Sequence, residues 1–367
     1  MRVLHVIDSL NRGGAEVMLT AMAPRFRTRG VTCDVMALVR RASPLERLLV
    51  DRGVHLRYTD VSKLYSPRQI FALSKLLDGY DLIHVHLFPA QLWTVMAAAR
   101  SRWSAPLVTT EHNTENARRR WWWFRTADTW MYSHYKGIAC ISEAVRNNLV
   151  RWCPDTAERI VVIPNGIPLD EFENAQAAEL ADVPSDVVRL LFVGRFMAQK
   201  DHATLLRALV AVPNAHLLLV GDGPLRLQLE QMARSLGIRN RITFLGWRQD
   251  VAAVLKASDI YVHPTHSDGF GIAACEAMAA GLPVLASDVP GLAQLVAGAG
   301  ILFPEGDDKA LAHHLNALIR SSDRQREMSQ ASLRRARQFS VENTVDGYIR
   351  MYESVLQASV TQVAEAR

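Results

Sequence analysis

Residues 259–287, DIYVHPTHSDGFGIAACEAMAAGLPVLAS, decide the fold. The short run at Ile260–Val262 reads as a strand and Gly269–Gly271 as a turn. The Ala-rich segment that follows reads as a helix ended by Gly281 and Pro283, and Val284–Ser287 as a second strand. A strand, a crossover helix and another buried strand form the repeating unit of a parallel sheet. Between Gly269 and Pro283 the only charged side chain is Glu276. Burying an unpaired carboxylate costs several kcal/mol, comparable with a domain's whole margin of stability, so Glu276 is expected to have a partner.

The same alternation runs outward in both directions. Toward the N-terminus the candidate strands are RVLHVI, TCDVMAL, DLIHVH, PLVTT, GIACIS and RIVVIP; around the opening stretch they are VRLLFVG, AHLLLVG, RITFLG, DIYVHP, PVLAS and GILF. The expected class is therefore α/β, with two Rossmann-like, doubly wound domains, at 1–165 and 166–340. Pro164, Gly166, Pro168 and Pro184 are expected to keep the connecting stretch irregular. Residues 341–367 read as a helix with an apolar face of Tyr348, Met351, Tyr352 and Val355, expected to pack back on the first domain. Two such domains are expected to bind ligands in a cleft lined by the carboxyl ends of their strands.

Composition narrows the class. With 367 residues, 49% of them hydrophobic and 22% charged, the chain is globular. Its four cysteines form no C-x-x-C pair, which fits a reducing compartment. Asp8 interrupts any secretory apolar region and no apolar run is long enough to span a bilayer, so a cytoplasmic location is expected.

Chemistry is expected at strand ends. Gly13 and Gly14 follow the first strand and open a helix, whose N-terminus favours an anion. Arg195 and Lys200 follow the strand VRLLFVG; a bidentate cation and a mobile point charge suit a diphosphate, and Asp201 reads as the cap of the next helix. Gly223 lies in the turn after AHLLLVG. Gly269, Phe270 and Gly271 offer free amides at the start of the helix bearing Glu276, for which a sugar hydroxyl is a suitable partner. His84 and His86 share a face of one strand and His112 follows the next; a third metal ligand at fixed spacing is not evident, so no metal site is expected.

GRFMAQKD, VGDGP, FLG and DGFGIAACEAMAAGLPVLAS, together with GGAE, HVH, ISEAV and IPNGI, resemble family 4 of the retaining nucleotide-sugar glycosyltransferases, over nearly the whole chain. The resemblance implies a GT-B fold and metal-independent transfer of a hexose from a nucleotide-diphosphate sugar, uridine or guanosine, with no cofactor. It also implies that Arg195 and Lys200 hold the diphosphate, that Glu276 bonds the ribose, and that the amides near Phe270 and Gly271 meet sugar and phosphate. Gly14 would close on the phosphates, the region of Gly223 and Leu245 to Val251 would line the base pocket, and His112 would lie near the reacting sugar. His86 and Asn165 are expected on the acceptor side. The family's E-x7-E pair here runs from Asp268 to Glu276, so the first acid is one methylene short.

Arg118, Arg119 and Arg120 beside Trp121, Trp122 and Trp123 are expected to form a membrane surface, since aromatics with a basic flank sit among anionic headgroups. No module for nucleic acid surrounds them. The expected acceptor is a lipid-linked, lipopolysaccharide or other cell-envelope glycan, with peripheral attachment to the inner face of the plasma membrane. The competing readings are a sugar-nucleotide epimerase or hydrolase and a non-catalytic nucleotide-sugar binder.

Overall fold

The structure is a computed structural model, and it describes every residue except 12, 102–104, 114–115, 181–182, 185 and 366–367. The chain divides into two compact units, Met1–Gly166 with Val341–Arg367, and Ile167–Ser340.

The first unit holds seven strands: β1 (Arg2–Ile7), β2 (Thr32–Ala37), β3 (His55–Tyr58), β4 (Leu82–His86), β5 (Leu107–Glu111), β6 (Tyr135–Cys140) and β7 (Ile160–Val162). They form one parallel sheet in the order β3-β2-β1-β4-β5-β6-β7. The second unit holds β8 (Val188–Val193), β9 (Ala215–Val220), β10 (Ile242–Gly246), β11 (Ile260–His263), β12 (Val284–Ser287) and β13 (Ile301–Phe303). These form a parallel sheet in the order β10-β9-β8-β11-β12-β13. Central strands buried on both faces need no polar alternation, which is why they read as continuous apolar runs. In each sheet the strand order reverses once, between β1 and β4 and between β8 and β11. Such a reversal splays the two flanking loops apart and leaves a crevice for ligand at the strand ends.

The C-terminal helix Val341–Glu365 belongs to the first unit's core, where Val345, Tyr348, Met351, Tyr352 and Val355 are buried beside Met18, Met22 and Phe26 of the helix Gly14–Arg27. The two tyrosine hydroxyls find partners there: Tyr352 with His84 Nδ1 at 2.6 Å and Tyr348 with Thr110 Oγ1 at 3.1 Å. That satisfies polar atoms which burial would otherwise strand.

Two expectations need correction. HLRY forms the edge strand β3, half-buried and carrying Arg57, so no apolar run announces it. The connecting stretch is not wholly irregular: Leu169–Glu173 makes a short helix with Asp170 and Glu171 in its first turn, stabilised as Phe172 becomes buried.

Candidate active site

In the second unit, the loops after β8 and β11 are stitched together. The Gln199 carbonyl accepts from His266 N and from Thr265 Oγ1, each at 2.8 Å, and Gln199 Nε2 donates to the Ser267 carbonyl at 2.8 Å. This brings Lys200 to Asp268. Lys200 Nζ lies 2.5 Å from Asp268 Oδ2 and 3.3 Å from His263 Nε2, while His263 Nε2 lies 3.2 Å from the same carboxylate oxygen. Phe270 N donates to the other oxygen, Oδ1, at 3.1 Å. Burial alone would raise the Asp268 pKa, but the hydrogen bond from His263 and the charge of Lys200 hold it far below the usual carboxylate range. His263 is buried, and burial together with Lys200 lowers its own pKa. Its Nδ1 pairs with Tyr261 OH at 2.9 Å, so a neutral ring can accept from tyrosine and donate to Asp268.

Sequence reasoning missed His263. The signal was available: it is the last residue of β11, at the carboxyl end where the sheet's order reverses. Asp201 caps the helix His202–Val210 as expected, its carboxylate accepting from Thr204 N at 3.3 Å.

Around this cluster the other expected residues take distinct places. Arg195 is exposed, and its guanidinium has no hydrogen bond or ion pair with another described residue. Gly223 packs under the same loop: a Cβ there would stand 2.6 Å from the Phe196 carbonyl oxygen, so close approach of the two backbones requires glycine. Leu245, in β10, and Val251, first in the helix Val251–Lys256, are half-buried. Gly269 and Phe270 lead to Gly271, which has φ +89° and opens the helix Ile272–Ala279. Asp268 therefore joins Lys200 directly, whereas Glu276 lies along that helix without a hydrogen bond or ion pair to any described residue. Burial, with Glu171 nearby, pushes the Glu276 carboxyl up to about 8. No described residue supplies a cation for it.

In the first unit, Gly13 and Gly14 sit after β1, with Gly13 extended as the cap residue of the helix Gly14–Arg27. Asp8, beside the β1/β4 reversal, accepts from Ala90 N at 2.8 Å, and burial pushes its carboxyl up to about 7. His86 is fully buried with both ring nitrogens engaged, 3.0 Å from His5 Nδ1 and 3.1 Å from His112 Nε2. It offers no exposed atom to an acceptor, contrary to expectation. The ring nitrogens of His84 are taken by Tyr352 and Thr110. His5, His84 and His86 bring ligand-type nitrogens within 4.8 Å of one another, and these hydrogen bonds account for all but His5 Nε2. Asn165 is buried, its Oδ1 without a partner among the described residues.

The expected basic membrane flank is corrected most. Arg118 Nε bonds Asp128 at 2.9 Å and Arg119 bonds Glu111 at 3.0 Å, each arginine side chain only 7% exposed. Asp128 also accepts from Trp152 Nε1 at 2.9 Å. The local excess of cations is thus partly an interior ion-pair network, formed because Glu111 and Asp128 lie beneath the loop. Arg120 and Arg125 remain exposed, as do Trp121 (54%), Trp122 (79%) and Trp123 (51%). No helix among the described residues is long and apolar enough to cross a membrane.

Known proteins share this organisation. Residues 12–171 match the model of Glycosyltransferase Family 4, and residues 178–335 that of Glycosyl transferases group 1. The chain is 27% identical to a D-inositol 3-phosphate glycosyltransferase of Saccharomonospora viridis, over 94% of this chain and 90% of that protein. It is 29% identical to a phosphatidyl-myo-inositol mannosyltransferase of Mycobacterium leprae, over 96% of each. Among solved structures, HepE of Anabaena in complex with UDP and glucose superposes with a TM-score of 0.84 at 23% identity, covering 96% of this chain and all of that one. That likeness shows the fold, GT-B. With family models matching both halves, the chain belongs to family 4 of the glycosyltransferases.

Proposed function

We propose that this glycosyltransferase moves a hexose from a nucleotide-diphosphate sugar to a lipid-linked or other cell-envelope acceptor, with retention of configuration and without a metal ion. One observation carries the reading: at the β8/β11 reversal, Lys200 and Asp268 meet on stitched loops, on the same unit as Glu276 and Arg195, whose side chains have no hydrogen-bond or ion-pair partner among the described residues. The second unit is the donor domain and the first the acceptor domain, completed by the C-terminal helix.

Each residue then has a chemical task. Arg195 and Lys200 neutralise the diphosphate as the glycosidic bond breaks and charge collects on the leaving oxygen. The ribose hydroxyls give Glu276 the donors that no described residue does. The amides of Gly269 to Gly271 meet the sugar and phosphate, Gly13 and Gly14 the phosphates, and Gly223, Leu245 and Val251 the base. Asp268, fixed as an anion by Lys200 and His263, faces the sugar's hydroxyls. His112 stabilises the positive charge that develops on the sugar, and Asn165 lies on the acceptor side. Relatives named for inositol 3-phosphate and phosphatidyl-myo-inositol support an acceptor built on a phosphorylated polyol. A thermal-shift panel of nucleotide sugars, followed by transfer from the best stabiliser, tests the reading. Stabilisation by none of them would contradict it.

Glu276 gives a second expectation, with a definite sign. Its folded pKa, about 8, lies above the ordinary 4.5. The fold therefore prefers the protonated form, and this contribution, full below about 4.5, is lost as pH rises through about 8. Glu276→Gln removes that loss. It should be more stable than the wild type by about 1–3 kcal/mol at pH 9, little different at pH 5, and deficient in donor binding at both. Equal unfolding temperatures of the two proteins at pH 9 would contradict the assignment.

Trp121, Trp122 and Trp123 with Arg120 and Arg125 support a seat on anionic lipid at the inner face of the plasma membrane. The protein should co-float with phosphatidylglycerol vesicles at low salt. Replacing the three tryptophans by serine should leave it in the soluble fraction; flotation unaffected by that change would remove the idea.

A further inference from the structure

His112 is tied to two residues that never reach the surface. His5 and His84 are in register on β1 and β4, and His86 and Thr110 on β4 and β5, so His5, His86 and the following His112 extend along one face of the sheet. Nδ1 of His5 lies 3.0 Å from Nε2 of His86, and Nδ1 of His86 lies 3.1 Å from Nε2 of His112. Burial depresses all three pKa values, so each ring is neutral and carries one N–H.

Counting protons then constrains the chain. Each of the two ring-to-ring bonds uses one N–H, leaving a single proton for the two ends, Nε2 of His5 and Nδ1 of His112. Both end atoms are buried without a hydrogen-bond partner among the described residues. Moving that proton from one end to the other requires all three rings to change tautomer together, so the imidazoles form one two-state unit. At the His5 end the ring packs against Phe26 and Tyr352, with centroids 5.3 Å and 6.5 Å away. The remaining proton is assigned to His5, whose aromatic surroundings can receive an N–H and offer no hydrogen-bond donor to a lone pair.

We infer that His5 and His86 are positioning residues that hold His112 in its Nε2–H tautomer and leave Nδ1 as a bare acceptor. The three ring dipoles then align head to tail, each hydrogen bond strengthening the next, with the negative end at His112. The Nδ1 atom is itself buried, so the positive charge developing on the sugar feels it as the negative end of an aligned dipole and not through direct contact. The kinetic consequence rests on the proposed placement of His112 near the transferring sugar; the tautomer itself does not.

Histidine 15N NMR of the whole protein, without ligand, tests the chain first. His112 should show a pyridine-type Nδ1 and a pyrrole-type Nε2; a pyrrole-type Nδ1 would overturn the inference. His5→Phe removes the acceptor of the His86 Nε2–H, so His86 should turn to donate from Nδ1 and force His112 into the opposite tautomer. In that variant kcat should fall roughly 10- to 100-fold, the scale known for the outer partners of metal-bound imidazoles, with donor KM little changed. His5→Gln, whose amide oxygen can still accept from His86, should restore both the tautomer and most of kcat. A flipped tautomer with unchanged kcat would also overturn the inference. Failure of the donor reading would instead appear as absent nucleotide-sugar binding by the wild type, while the tautomer result stands.

Discussion

Lys200→Ala is expected to lower kcat/KM by about two to three orders of magnitude while the protein stays folded. A positioned cation that stabilises the charge of a departing diphosphate contributes about 3 kcal/mol to the transition state, and each 1.36 kcal/mol is a factor of about ten. Two further effects follow from the structure. Asp268 loses its 2.5 Å partner and keeps only His263 and the Phe270 amide, so its carboxylate is less firmly held. Lys200 ends a short turn, Ala198–Lys200, and its side chain is not part of the unit's apolar core, so secondary structure should persist, while the largely buried Asp268 left without its cation should lower the unfolding temperature. Initial rates of sugar transfer together with circular dichroism make the check. A folded variant retaining more than about a tenth of the activity would remove Lys200 from the mechanism.

The second large effect is on stability and lies in the other unit. Asp128→Ala leaves Arg118 buried, its guanidinium 4.3 Å from the ring centroid of Phe88 but without the carboxylate that held it at 2.9 Å and 3.1 Å. It also strips Trp152 Nε1 of its acceptor. Breaking a buried ion pair by removing one member costs about 3–5 kcal/mol because the remaining charge is uncompensated. That is a large share of a total of about 5–15 kcal/mol, so urea should unfold the variant at a markedly lower concentration. Asp128→Asn, which retains an acceptor for Trp152 and Arg118, should lose less. A midpoint for Asp128→Ala within error of the wild type would mean that water reaches Arg118.

The sequence announced buried strands better than edges or interiors of mixed polarity. Runs such as LLLV and LLFV are apolar on both faces and, bounded by turn residues, read as buried strands. HLRY at β3 lies on an edge, where half-burial and a charged residue leave no pattern to detect. The residues proposed for the donor side could be picked out because they follow strands at fixed short distances. His263 was passed over because it ends a strand instead of following one. Arg118 and Arg119 misled for a different reason. Local charge counting sees the cations in one segment, while their partners Glu111 and Asp128 are identified only when β5 and the helix Phe124–Ser133 are brought together. The carboxylate of Glu276 was expected to have a partner, and its lack of one among the described residues was visible only in the structure. The shortened acid Asp268 could be flagged from sequence, but its engagement with both Lys200 and His263 could not.

The claim on which the rest depends is that Arg195, Lys200 and Glu276 grip one donor molecule. A cocrystal structure with the nucleotide sugar that stabilises the protein best tests it most directly. It is predicted to show ribose hydroxyls within hydrogen-bond distance of the Glu276 carboxylate and the diphosphate on Arg195 and Lys200. A nucleotide bound elsewhere, or with its ribose turned away from Glu276 and its phosphates clear of both cations, would contradict it.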